Sequence, residues 1–289
     1  MGQMKKVVVI GCKGMAGHVV KTCLESTGIY DVWGIAREID SGQKLINLDV
    51  SNTKELESIL DNGSFDVVIN CIGLLNKTAE DNPELAVWFN SYFPQLLASY
   101  GKKHNFKLVH ISTDCVFSGK EGGYKEDSFK NGIGFYAQSK ALGEVVNTKD
   151  LTIRTSIIGP ELKQNGIGLF HWFMNQTDEI FGYTEAYWSG VTTIELAKGI
   201  NEAIQQDLTG LYQFVNNSKI CKYVLLQEFN TIFKEGKTKI TPKSDYKVDK
   251  SLLCTRSDFD YNVPSFNAMI KEMKDWMIKY KELYKYYDY

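Results

Sequence analysis

In the stretch GFYAQSK a tyrosine and a lysine stand four residues apart, at Tyr136 and Lys140. On a helix that spacing is about one turn and puts both side chains on one face. A phenol ordinarily ionises near ~10, and an adjacent ammonium favours the phenolate, so the pair reads as a general acid with its pKa lowered toward neutrality. On a plain surface helix the same ring would only pack and the ammonium would only be solvated. A substrate and a cofactor site elsewhere in the chain decide between the two.

The motif GCKGMAG, Gly11 to Gly17, follows the apolar run KVVVI and precedes a helical pattern, the setting a dinucleotide loop requires. Gly11 permits the tight turn, Gly14 lets the backbone approach a pyrophosphate, and Gly17 lets helix and strand pack closely. The phosphates would rest on the free amides of the helix that opens at Met15. The run DVWGIA ends at Arg37, and Lys13 lies inside the loop. Two cations there match the extra phosphate of NADP, so NADP(H) is expected in preference to NAD(H). Glu38, one residue on, is the acidic alternative that would hold the ribose hydroxyls of NAD.

These groups need a scaffold, and the rest of the chain alternates. Short apolar runs at 6–10, 31–36, 44–50, 65–70, 106–112 and 151–158 read as strands. Between them lie helical patterns: MAGHVVKTCLEST, then NTKELESILDN, in which Asn52 and Glu55 have capping-box spacing. A longer one, PELAVWFNSYFPQLLASYGKKHN, has Pro83 in its first turn and Asn82 as its expected cap. Repeated strand and helix predicts an α/β fold, a doubly wound parallel sheet of Rossmann type. Residues 1–160 are expected to form the cofactor-binding domain. Residues 161–289 would form a smaller α/β substrate-binding part, some of it returning to the first, with the substrate cleft between them. Within that part FHWFMNQ, TTIELAKGINEAIQQ and SFNAMIKEMKDWMIKYKELY read as helices, and GLYQFV as a strand.

Composition excludes some partners. The 289 residues carry 33 Lys+Arg against 35 Asp+Glu, a formal net charge of −2, with no basic field for nucleic acid and no polybasic tail for a membrane. The N-terminal apolar run is too short for a leader or a membrane span. Six cysteines without CxxC or Cys/His clustering, and four scattered histidines, indicate neither a zinc site nor a disulfide framework. No metal is expected, and the thiols read as reduced in a cytoplasmic protein.

In chain order, GCKGMAG, the Asp49-Val50 pair, NCIG (70–73), ISTDCVFSG (111–119), YKEDS (124–128) and YAQSK (136–140) resemble the extended short-chain dehydrogenase/reductase superfamily. The STDxVF(D/S)G and YxExD phrases are similar to dTDP-4-dehydrorhamnose reductases and related nucleotide-sugar reductases. The resemblance implies Thr113 as the catalytic Ser/Thr, Tyr136 as the acid, Lys140 as the lysine that activates it, and Asn90 as the end of a proton relay. It further implies that Asp49 and Val50 contact adenine, that Cys71, Ile72 and Gly73 line the nicotinamide side, and that Thr155 and Ser156 lie near the nicotinamide. The implied reaction is NADPH-dependent reduction of the 4-keto group of a nucleotide-linked deoxysugar, for surface polysaccharide biosynthesis. An epimerase or dehydratase with bound NAD, and a non-catalytic NADP-binding regulatory subunit, are the alternatives on the same fold. The chain departs from the family in KNGIGFYAQ, which lacks the usual proline before the tyrosine, and in LLNKTAEDNP after the fourth strand.

Substrate contacts are expected from Leu75, Asn76, Thr113, Tyr187 and Trp188, with Tyr183 as a further aromatic surface and Lys163, Lys243 and Arg256 as cations for a diphosphate. The tail KELYKYYDY packs either a helix end or, in a homodimer, a partner subunit.

Overall fold

The structure, a computed structural model, describes residues 4–288. Strand β1 (Lys5–Ile10) buries Val7 to Ile10 completely, as expected of a central strand covered on both faces. Helix α1 (Met15–Thr27) ends in a left-handed turn at Gly28, φ 69°. Strands β2 (Tyr30–Ala36) and β3 (Leu45–Asn47) lead to α2 (Thr53–Gly63). The Asn52 side chain accepts from the Glu55 amide at 3.4 Å and donates to the Glu55 carboxylate at 2.6 Å, a reciprocal cap.

After β4 (Val67–Asn70) come α3 (Asn76–Asp81), α4 (Pro83–Ala86), a π-helical turn (Val87–Tyr92) and α5 (Phe93–His104). The long helix expected from sequence is thus continuous but widened in its middle. Pro94 has no N–H to offer the Asn90 carbonyl, and a helix relieved of that bond relaxes into a wider turn. Asn82 does not cap it, because its amide is drawn back to the Thr78 carbonyl at 3.0 Å.

Strand β5 (Lys107–Thr113), α6 (Phe135–Gly143), β6 (Leu151–Thr155) and β7 (Ile157–Ile158) follow. The strand expected over 151–158 is broken at Ser156, and its halves enter different sheets. The later chain forms α7 (Leu169–Met174), β8 (Ile180–Trp188), β9 (Val191–Thr192), α8 (Thr193–Gln205) and β10 (Gly210–Gln213). It continues through β11 (Ile220–Cys221), α9 (Lys222–Lys234), β12 (Ile240–Asp249) and α10 (Phe266–Lys279).

Among the described residues seven strands form one parallel sheet in the order β10-β6-β5-β4-β1-β2-β3. One face is covered by α1 and α8, the other by Leu56 and Leu60 of α2 and Phe93 and Leu97 of α5. The strand order reverses between β1 and β4, so their connections leave to opposite sides and open a crevice beyond the carboxyl ends. Strand β10, from residues 210–213, completes the edge of this sheet beside β6. The remaining strands form a small sheet, β11-β8-β12, and a β7-β9 pair.

Two aromatics of the tail, Tyr284 and Tyr287, fold inward, and Tyr289 lies outside the described residues. The Tyr284 hydroxyl meets His18 Nε2 at 2.9 Å and accepts from Trp276 Nε1 at 2.8 Å, and the Tyr287 hydroxyl accepts from the Glu161 amide at 2.9 Å. Among the described residues no helix is long and apolar enough to cross a membrane.

Candidate active site

The glycine loop lies at the reversal point of the sheet. Gly11 takes φ +83° and its amide donates to the Ile35 carbonyl at 2.8 Å, which turns the chain out of β1. A Cβ at Gly17 would stand 2.1 Å from the Gly11 carbonyl oxygen, so α1 reaches the loop only because residue 17 has none. Gly14 caps α1 without any side-chain hydrogen bond, leaving the first amides of the helix open. Lys13, Gly14, Met15 and Ala16 line one end of a cleft of about 590 Å³.

Arg37 and Asp49 stand side by side just beyond the carboxyl ends of β2 and β3, with Nη1 and Oδ2 3.4 Å apart and both side chains largely exposed. The Ser51 amide and hydroxyl, with help from Arg37, hold the Asp49 carboxyl below its ordinary range. The Val50 side chain is buried in the apolar cluster beneath. None of these three lines the cleft itself.

Cys71, Ile72 and Gly73, just past β4, form the middle of the cleft, and Leu75 and Asn76 continue it. Asn90 fixes this segment from the π-helical turn. Its Oδ1 accepts from the Leu74 amide at 2.8 Å, and its Nδ2 donates to the Leu74 carbonyl at 2.9 Å and to Ser139 Oγ at 3.1 Å. Fully buried and so occupied, Asn90 ties the loop to α6 and does not line the cleft.

Thr113, Tyr136 and Lys140 line the same cleft with Thr155 and Ser156. Strand β5 ends at Thr113, whose hydroxyl accepts from the Cys115 amide at 3.1 Å and donates to Asp114 Oδ1 at 3.1 Å. The Thr155 hydroxyl is occupied by the Phe214 carbonyl at 2.8 Å. Lys140 Nζ donates to the Ile111 carbonyl at 2.7 Å.

The electrostatics differ from the sequence expectation. Burial, reinforced by Cys115, pushes the Tyr136 phenol up, and the Thr113 hydroxyl only partly opposes it. Lys140 itself is pushed down to about 8 by burial, against Glu144 and Cys71. Spacing alone predicts a charge–charge effect; in the folded protein desolvation outweighs it on both groups.

Tyr187 and Trp188 are not on the cleft. Trp188 is core, 5.7 Å from the Phe266 ring centroid, and Lys219 covers the Tyr187 ring at 4.4 Å. Tyr183 pairs with Tyr246 and Lys243 with Asp245, while Arg256 is bound by Asp258 and by the Thr209 and Leu211 carbonyls. The cleft is closed instead by residues 161–169, of which only Lys163 is singled out by sequence. That segment follows no motif, and only its glycines at 166 and 168 mark it as a loop. A smaller compartment of about 260 Å³ adjoins at Asn76, Cys115 and Tyr136 and is bordered by Glu80 and Lys250, neither of which carries a sequence signal.

The chain is similar to several known proteins in sequence and in fold. A dTDP-4-dehydrorhamnose reductase of Aggregatibacter actinomycetemcomitans is 31% identical over 162 residues, 53% of this chain and 51% of that one. The match therefore spans about half of that relative's length. A spore coat polysaccharide biosynthesis protein of Bacillus subtilis is 26% identical over 80% of this chain and 79% of its own. Among solved structures, dTDP-4-dehydrorhamnose reductase of Bacillus anthracis in complex with NADP has the same fold, with a TM-score of 0.79 at 21% identity, covering 94% of this chain and 99% of that one. The family model described as the RmlD substrate binding domain matches residues 4–259, from the first strand through the whole cleft and past β12, and the chain belongs to that family.

Proposed function

We propose that this chain is an NADPH-dependent reductase of the 4-keto group of a nucleotide-linked deoxysugar, acting in the cytoplasm to supply a surface polysaccharide. The observation that carries the reading is that Thr113, Tyr136 and Lys140 line one cleft together with the open glycine loop. The reductase named among its relatives and the NADP complex of a protein with its fold support it.

The residues present fit a dinucleotide. A side chain at Gly17 would collide with Gly11, the bare helix start offers amides to phosphate, and Lys13 adds a cation. Arg37 would pair with the 2′-phosphate, and Asp49 and the Val50 backbone would border adenine. A bound nicotinamide supplies the hydride. Tyr136 gives its proton to the ketone oxygen as negative charge develops there, and burial keeps the phenol protonated until then. The Thr113 hydroxyl, turning from Asp114, donates a hydrogen bond to the same oxygen. Lys140 holds the cofactor ribose and stabilises the phenolate left behind, while Leu75 and Asn76 border the sugar. In this scheme residues 1–160 with β10 hold the cofactor, and the remainder of 161–289 covers the substrate.

The test is a panel of dTDP-, UDP- and GDP-linked 4-keto-6-deoxysugars followed by loss of NADPH absorbance. Turnover of one nucleotide series is expected. Bound NAD in the purified protein with no consumption of NADPH would instead indicate an epimerase or dehydratase.

A further inference from the structure

Helix α6 carries Tyr136 in its first turn, where backbone amides have no partner inside the helix. The usual remedy is a Ser, Thr, Asp or Asn at the residue before the helix. Here that residue is Gly134, with φ 92° and ψ 166°, a conformation open to glycine alone. A Cβ there would also lie 2.5 Å from Glu80 Oε1. A local cap is ruled out on both counts. The Glu80 carboxylate, from α3, takes its place: Oε2 accepts from the Phe135 amide and Oε1 from the Tyr136 amide, each at 3.0 Å. A carboxylate at this end also meets the positive pole of the helix.

We propose that Glu80 is a positioning residue that sets the start of α6, and with it the Tyr136 phenol, relative to Thr113. Glu80 touches neither reacting group; it acts through the backbone of the residue that does. The segment 74–83 thereby serves the cleft twice, bordering it with Leu75 and Asn76 and bracing the start of α6 with Glu80. The catalytic consequence rests on the reductase reading above, whereas the bracing does not.

The test uses the full chain with Glu80→Ala and Glu80→Gln. Hydrogen exchange in the ligand-free protein reads the brace: the Phe135 and Tyr136 amides should exchange about tenfold or more faster in Glu80→Ala, since each loses a charge-assisted bond. On a ketosugar that the unaltered protein reduces, kcat should fall about tenfold to a hundredfold with the KM for NADPH within about twofold, as expected of a misplaced acid rather than a lost binding contact. Glu80→Gln retains one acceptor oxygen and should recover part of both losses. Unchanged exchange and unchanged kcat in Glu80→Ala would overturn the proposal, and if that variant does not fold, the same two readings on Glu80→Gln decide it. A chain inert toward every ketosugar would sink the reductase reading, and the exchange comparison would still decide the brace.

Discussion

At the glycine-loop end of the cleft the contacts are made by backbone: Gly11, Gly14 and Gly17 shape the turn, and an ion pair nearby, Arg37 with Asp49, is solvent-exposed at 3.4 Å. At the Tyr136 end, α6 is fastened by side chains from distant segments. Glu80 holds its start, Asn90 and Ser91 reach Ser139, and Glu144 at its C-terminus is clamped by Arg154, with Nε–Oε1 at 2.9 Å and Nη2–Oε2 at 2.8 Å. Gly143 lets α6 lie directly on the Asn90 carbonyl, where a Cβ would come within 1.8 Å. The first end is specified by the absence of side chains, so it tolerates change at its surface. The second is specified by a buried polar network, so a single deletion strands a partner.

The largest effect expected from this contrast is on chemistry. Tyr136→Phe keeps the ring but removes the proton, so kcat should fall by about 10²- to 10⁴-fold with folding intact, read by NADPH oxidation and a thermal melt. Near-normal turnover would make Tyr136 a packing residue and remove the reason for the network around it. Next comes stability. Glu144 and Arg154 are each 1% exposed at their side chains, so Glu144→Ala leaves a buried guanidinium and should cost about 3–5 kcal/mol in a denaturant titration. Burial raises the Glu144 carboxyl, but Arg154 and Lys130 bring it below its ordinary range overall. That contribution is therefore present at neutral pH and lost as pH falls through the depressed value. A loss below about 1 kcal/mol would show that α6 does not depend on the clamp.

Arg37→Asp tests the exposed end. The KM for NADPH should rise about tenfold or more, a phosphate contact being worth about 1.5–3 kcal/mol, while stability moves by no more than about 0.5 kcal/mol. Equal losses with NADPH and NADH would place the phosphate contact elsewhere. The smallest effect concerns Lys140. Its pKa is lowered to about 8 by burial, so the folded chain releases that proton before the unfolded one. Stability should then rise with pH between that value and the free-lysine pKa of ~10.4, by on the order of 1 kcal/mol near pH 9, relative to Lys140→Met. Parallel stability curves for the two proteins across that range would contradict the burial of the ammonium.

The amino-acid sequence by itself determined the doubly wound sheet, because β1 and β4 are apolar runs next to helical patterns, and Gly14 and Gly17 answer to the nearby Gly11 carbonyl, whereas Gly11 itself answers to Ile35 and Ile72 from later in the chain. It also determined that Thr113, Tyr136 and Lys140 belong to one motif set. Tertiary structure alone decided what those residues experience. Burial, which no spacing encodes, reversed the expected direction for the Tyr136 phenol. Trp188 resembled a ligand surface by residue type, and only tertiary packing, Phe266 among its neighbours, made it core. Strand β10 joins a sheet whose neighbouring strand β6 lies far upstream, and Glu80 reaches amides 55 and 56 residues away. Local pattern records propensity and periodicity, which act over a turn or a strand; desolvation and long-range hydrogen bonds depend on which surfaces meet, and that is settled only when the chain closes on itself.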